Sequence, residues 1–271
     1  VSILLAVGII GGLVSWKMNQ YAEENFETLA YGQLKRIDEA LNMFLGTGKK
    51  NAEYLANLPI IKNAMGKLPS SANSINFGRL APQIVYYFSA YADAVEKGRI
   101  QNGTEIVFSV PTGNFGDILA GYYAKLMGLP VKKFICASNS NNVLTDFFAT
   151  KTYDKKRAFK VTTSPSMDIL VSSNLERLIF HLLGNDAAKT KELMEKLVSE
   201  GEYTLSGANQ AILDMFEAGF ATEAETSAEI KRVYDACDYV EDPHTAVASA
   251  VYKKYLAETQ DKTPTVIVST A

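Results

Sequence analysis

The stretch SVPTGNFGDILAG, residues Ser109–Gly121, sets two glycines three residues apart between an apolar run and a helical one. The run before it, EIVF, has β-type composition, so a strand is expected over Glu105–Val110. The run after it carries helical spacing and predicts a helix over Asp117–Met127, closed by Gly128 and Pro130. Another apolar run then predicts a strand over Val131–Ala137. A strand–helix–strand crossover of this length favours a parallel sheet with helices on its faces. The expected class is therefore α/β. The helix start after the glycines offers backbone N–H groups and a partial positive charge, which suit a small anion. The spacing is neither Walker A nor GxGxxG, and an ordinary tight turn fits it as well.

The chain has 271 residues, 47% of them hydrophobic and 21% charged, enough for a sizeable core and unlike a disordered segment. A formal charge of −3 gives no electrostatic reason to expect nucleic acid. Cys136 and Cys237 are too few for a disulfide framework and read as small buried apolar residues. Residues 1–16, VSILLAVGIIGGLVSW, form an uncharged run expected to be the latter part of a transmembrane helix, with Lys17 at the interface. A buried helix of a soluble protein is the other reading. Ala30, Leu34, Ile37, Leu41 and Phe44 then make an a/d-like stripe, which predicts an amphipathic helical segment over residues 17–69.

From residue 70 the texture changes. The aromatic run Ile84–Tyr91 predicts a buried helix ending near Gly98. Ser173–Glu176 reads as a capping box opening a helix with Leu175, Leu178, Ile179 and Leu182 on one face. Thr226–Glu229 reads as another, with Ile230, Val233, Tyr234 and Cys237 facing inward. Asp242-Pro243 is an N-cap followed by proline at the first helical position. The end, TPTVIVSTA, is a short β-branched run.

Several segments resemble threonine synthases, fold type II pyridoxal-phosphate enzymes. VPTGNFGDILAGYYAKLMGLPV looks like that family's cofactor-phosphate loop. NSINFGRLAPQIVYYFSAY, SPSMDILVSSNLERLIFHL, DPHTAVASAVY and VIVSTA resemble its other segments, in its order, over about residues 72–271. The resemblance implies that Gly113, Asn114, Phe115 and Gly116 cradle the phosphate of pyridoxal phosphate and that Asp117 begins the next helix. It implies that Thr270 hydrogen-bonds the pyridine nitrogen, and that Ser74, Asn76 and Arg79 hold the substrate phosphate, arginine being suited to a bidentate contact. The implied substrate is O-phosphohomoserine, converted with water to threonine and phosphate by a cytoplasmic lyase.

That chemistry needs a lysine that holds the cofactor as a Schiff base, in a stretch resembling FHGPTLAFKD, and no such stretch occurs here. Lys17, Lys35, Lys49, Lys50, Lys62 and Lys67 lack those surroundings and read as solvated. Residues 1–69 instead resemble the membrane anchor and first helix of a bacterial chemoreceptor. The expectation is an incomplete, inactive threonine-synthase-like part over residues 70–271, joined near residues 68–74 to a membrane-like leader. The alternative is a membrane-anchored sensory segment with a non-catalytic passenger. No metal-ligand spacing is present, His181 reads as a packed helix residue, and His244 reads as making local hydrogen bonds at a helix start, proximity to the active site being the other reading that the resemblance implies.

Overall fold

The computed structural model describes residues 77–269. The expectations for residues 1–69 and for the junction near residues 68–74 lie outside them. Within the described residues, no helix is long and apolar enough to cross a membrane.

Four parallel strands make the main sheet: β1 (Ile106–Pro111), β2 (Val131–Ser138), β5 (Phe216–Phe220) and β6 (Thr265–Ile267), in the order β5-β2-β1-β6. A separate antiparallel pair, β3 (Thr152–Asp154) and β4 (Glu202–Thr204), stacks Tyr153 on Tyr203. Every residue of β1 is buried, as expected for a strand covered on both faces. The helices are α1 (Phe77–Glu96), α2 (Gly116–Leu126), α3 (Val143–Thr150), α4 (Leu175–Leu182), α5 (Ala187–Ser199), α6 (Gln210–Leu213), α7 (Glu223–Cys237) and α8 (Pro243–Thr259). Two compact units divide the chain. The sheet unit takes in residues 73–90 and 103–271, and of the other unit the described part is residues 91–102, the end of α1 and the turn after it.

On one face of the sheet, Val107, Ile135 and Ala137 meet Val247, Ala248, Val251 and Tyr255 of α8. On the other, alternation turns Phe108 and Phe134 toward Tyr87 of α1, with ring centroids 4.8 Å and 6.3 Å from it. Phe216 joins this layer 5.6 Å from Phe134. Gly121 lets α2 come down onto these rings. A Cβ there would lie 2.6 Å from Tyr87 Cε1 and 2.7 Å from Phe134 Cε1. Gly121→Ala adds about 1 kcal/mol of helix propensity, but overpacking a filled core costs about 1–3 kcal/mol. Tyr87 is held by hydrogen bonds to Asp117 and cannot swing away freely. A net loss of up to about 2 kcal/mol is expected in urea unfolding.

The crossover forms as the composition predicts, each boundary within a residue. Asp242 caps α8 by accepting from the amides of His244 (2.8 Å) and Thr245 (3.3 Å). Three local readings need correction. The capping box read at Ser173–Glu176 does not form: the residue that precedes α4 is Asn174, and its side chain makes no cap bond but accepts from Arg177. Leu175, Leu178, Ile179 and Leu182 are nevertheless the buried face. The capping box of α7 is Thr222–Glu225, one turn earlier than expected, since the next Thr-x-x-Glu is buried in the helix body. Val233 faces inward, whereas Tyr234 and Cys237 are exposed. Cys136 is buried, and that burial pushes its thiol up to about 12.

Candidate functional site

The turn Thr112–Gly116 leaves the carboxyl end of β1 and enters α2. Thr112 stays tied to the sheet, its amide donating to the Ala137 carbonyl at 2.7 Å. Phe115, the residue before α2, is left-handed with φ 67° and ψ 8°, although its side chain is buried. A bulky residue with positive φ is uncommon, and such strain persists where the surroundings over-determine it. Here the Phe115 ring packs against Phe148 (6.1 Å) and Phe216 (5.8 Å), which hold it.

The segment before α4 grips the turn from one side. Ser172 Oγ donates to the Gly113 carbonyl at 2.6 Å, and the Asn174 amide donates to the Asn114 carbonyl at 3.0 Å. A trans peptide points its N–H opposite to its C=O. Both carbonyls being taken by one segment, the amides of Asn114 and Phe115 are turned to the opposite side. Consecutive amides directed together at a helix start form an anion-binding concavity. Asn114 Oδ1 braces the loop by accepting from the Gly116 amide at 2.8 Å. Gly113 is needed for close approach: a Cβ there would sit 2.7 Å from the Ser166 carbonyl oxygen and 3.1 Å from Met167 Cα. These belong to the 3₁₀ turn Pro165–Met167.

Asp117 is the second residue of α2, Gly116 being the first. Tyr87 Oη donates to its carbonyl (2.9 Å) and lies 3.1 Å from its Oδ1. Burial pushes the Asp117 carboxyl up to about 6, against the lowering effect of the Tyr87 hydroxyl. Burial, then the neighbouring Asp117 charge, raises the Tyr87 phenol.

The carboxyl end of β2 adds polar groups. Asn139 Nδ2 donates to Thr162 Oγ1 (2.8 Å), Ser164 Oγ (2.9 Å) and Asp168 Oδ1 (2.7 Å), folding the 160–168 loop against the sheet edge. Ser138 Oγ is buried and has no hydrogen-bond partner among the described residues. Alternation along β2 sets Ser138 on the face of Phe134 and Cys136, the α2 side. Ser138→Ala removes this unpaired hydroxyl, so the chain alone is expected to gain about 1 kcal/mol in thermal unfolding. An unchanged or lowered midpoint would mean that the hydroxyl is satisfied.

The tail enters the same sheet edge. β6 pairs with β1 in parallel, the Val268 amide donates to the Ser109 carbonyl at 2.9 Å, and Ser269 Oγ lies 3.4 Å from Thr245 Oγ1. β1 is followed on one side by β2 and bordered on the other by β6, so the glycine turn leaves the sheet where strand order reverses. Ligands in open α/β sheets bind at such points. Thr270, Ser74 and Asn76 lie outside the described residues, and Arg79 falls in the first turn of α1. Four of the residues that build the turn, Tyr87, Ser172, Asn174 and Ser166, were not singled out by sequence. Ser166, Ser172 and Asn174 lie in the SPSMDILVSSN stretch and Tyr87 in the aromatic run Ile84–Tyr91, and the path of either to the turn is tertiary.

Other candidates fall elsewhere. His181 packs between Tyr122 and Tyr123, with centroids 5.7 Å and 5.8 Å away, as expected. It borders an open, apolar groove of about 1090 Å³ among α1, α2, α4 and α5 that does not include the glycine turn. The site is placed by backbone geometry, not by that groove.

Known proteins decide which family this geometry belongs to. "Threonine synthase-like 1" of Homo sapiens is 48% identical over 209 residues, covering 76% of this chain and 28% of that protein. Threonine synthase of Saccharomyces cerevisiae is 33% identical over 280 residues, covering 97% of this chain and 51% of that protein. The crystal structure of pyridoxal-phosphate-bound threonine synthase from Brucella melitensis superposes with a TM-score of 0.66 at 41% identity, over 74% of this chain and 42% of that one. Over the matched residues, the chain is a homologue of the threonine synthases. No family model matches. This threonine-synthase-like chain thus spans between about a quarter and about half the length of the relatives it matches. The alignment with the yeast threonine synthase runs into residues 1–69, the segment read as chemoreceptor-like.

Proposed function

We propose that the Gly113–Asp117 turn holds the phosphate of pyridoxal phosphate, in a threonine-synthase-type part covering residues 70–271. One observation carries this reading: Ser172 and Asn174 hold the Gly113 and Asn114 carbonyls, so the Asn114 and Phe115 amides are turned together at the start of α2. The buried Ser138 hydroxyl at the same sheet edge, without a hydrogen-bond partner among the described residues, fits a further polar ligand atom. When bound, pyridoxal phosphate supplies an electron sink for a carbanion formed at an amino-bearing carbon.

The chain's own residues supply binding and orientation. The two amides and the α2 dipole neutralise phosphate charge at the sheet edge. Thr270, which follows the Ser269–Thr245 contact, is proposed to donate to the ring nitrogen, leaving it largely unprotonated. Ser74, Asn76 and Arg79 are proposed to receive the phosphate of O-phosphohomoserine. The 271 residues contain no stretch like the family's lysine segment, so the cofactor is proposed to be held without a covalent bond and the chain to lack lyase activity by itself. Absorbance spectra of the protein with pyridoxal phosphate, before and after borohydride reduction and gel filtration, test this. Retention before reduction and none after denaturation is expected. Cofactor fixed to a lysine by borohydride would refute non-covalent holding.

A further inference from the structure

His244 links three segments around the glycine turn. Its Nε2 lies 3.2 Å from the Ser166 amide and accepts from it. Its Nδ1 lies 3.0 Å from Asp242 Oδ1. An imidazole that accepts at Nε2 carries its proton on Nδ1, and here that N–H donates to a carboxylate. Asp242 in turn caps α8 through the amides of His244 and Thr245, and Thr245 reaches Ser269 on the tail beyond β6. Ser166 is the residue whose carbonyl would meet a Cβ at Gly113 at 2.7 Å. A chain of contacts therefore runs from the α8 cap through the imidazole to the 3₁₀ turn, and from that turn to the glycine loop. The loop 160–168 is fastened independently through Asn139, Asn141 and Asp168, and by the Thr163 amide donating to Glu223 Oε2 at 3.0 Å. Those bonds hold its base, whereas His244 holds the residue that touches the glycine.

We infer that His244 is a positioning residue of this site, seating the Pro165–Met167 turn on Gly113 by accepting from the Ser166 amide. The inference rests on the glycine turn being the phosphate clasp. Without the acceptor, Ser166 has one fewer tie and the wall over Gly113 is held less firmly. The imidazole does not need to touch the cofactor for this, and its contribution is that of one neutral hydrogen bond.

Two variants separate the acceptor from mere packing. His244→Gln places an amide oxygen near the reach of Nε2, while His244→Leu fills the space without an acceptor. Equilibrium dialysis against pyridoxal phosphate is expected to show about fivefold weaker binding in H244L, the loss of one such bond, and near-parent binding in H244Q. Hydrogen–deuterium exchange of the peptide containing Ser166 is expected to quicken in H244L and to return toward the parent rate in H244Q. Equal exchange rates in the parent and H244L would overturn the inference, as would an H244Q that behaves like H244L. If the parent chain binds no pyridoxal phosphate, the functional reading falls, and the exchange result alone still decides whether His244 seats this turn.

Discussion

Gly113→Ala is expected to weaken pyridoxal phosphate binding by at least about tenfold. The added methyl would lie 2.7 Å from the Ser166 carbonyl oxygen and 3.1 Å from Met167 Cα, both backbone atoms that no side-chain rotation can move aside. Either the 165–167 turn lifts or the glycine loop shifts. If the loop shifts, the Ser172 bond to the Gly113 carbonyl, at 2.6 Å, is strained and the Asn114 amide loses its direction. Overpacking of this kind costs about 1–3 kcal/mol of stability, so the variant is expected to fold with a lowered midpoint. Stability and affinity must be measured on the same preparation. A G113A protein that loses stability but binds the cofactor as its parent does would show that the turn is only structural.

Asp117→Asn is expected to stabilise the chain near pH 7 by about 3 kcal/mol and to remove a pH dependence between about pH 4 and pH 6. The Asp117 carboxyl keeps its proton in the folded chain up to about 6, against an ordinary value of 3.8. Burial is the main cause. A carboxylate in the first turn of a helix gains only about 0.3–1 kcal/mol from the helix dipole, less than the cost of burying it here. Below about pH 4 the group is protonated whether folded or not, and its contribution is fully present. As pH rises from there to about 6, the unfolded chain gives up its proton first and stability falls. Asparagine keeps an acceptor for the Tyr87 hydroxyl and carries no charge at any pH. Urea unfolding of parent and D117N from pH 4 to pH 7 is expected to give curves that converge at pH 4 and diverge above it. Curves that stay parallel would mean that the carboxyl titrates in solvent.

The crossover from β1 through α2 to β2 was legible because each part is local. Six consecutive buried apolar or small residues make a strand, two glycines make the turn, and Gly128 with Pro130 ends the helix. The α8 start was legible for the same reason, since Asp-Pro carries both the cap and the first helical residue. The α7 start was not. Thr222–Glu225 and Thr226–Glu229 carry the same Thr-x-x-Glu pattern four residues apart, and only burial of Thr226 and Glu229 tells them apart. Glu229 is inside because Arg232 and Ser249 satisfy it, at 2.6 Å and 2.9 Å, and Ser249 is twenty residues away. The candidate site divides along the same line. Gly113, Asn114, Phe115, Gly116 and Asp117 stand in one run and could be read directly. Tyr87 of α1, and Ser172 and Asn174 of the segment that leads into α4, reach this run from elsewhere in the chain, and spacing along the chain says nothing of that. The left-handed Phe115 is the clearest such case. Nothing in its residue type announces a positive φ, and only Phe148 and Phe216 around it make the conformation tolerable.

The most direct test compares pyridoxal phosphate with pyridoxal, which has the same ring and no phosphate, by titration calorimetry on the parent chain. Amides aimed at a phosphate predict that pyridoxal phosphate binds and that pyridoxal binds at least about a hundredfold more weakly, the loss of several charge-assisted hydrogen bonds. Equal affinity for the two would contradict the account.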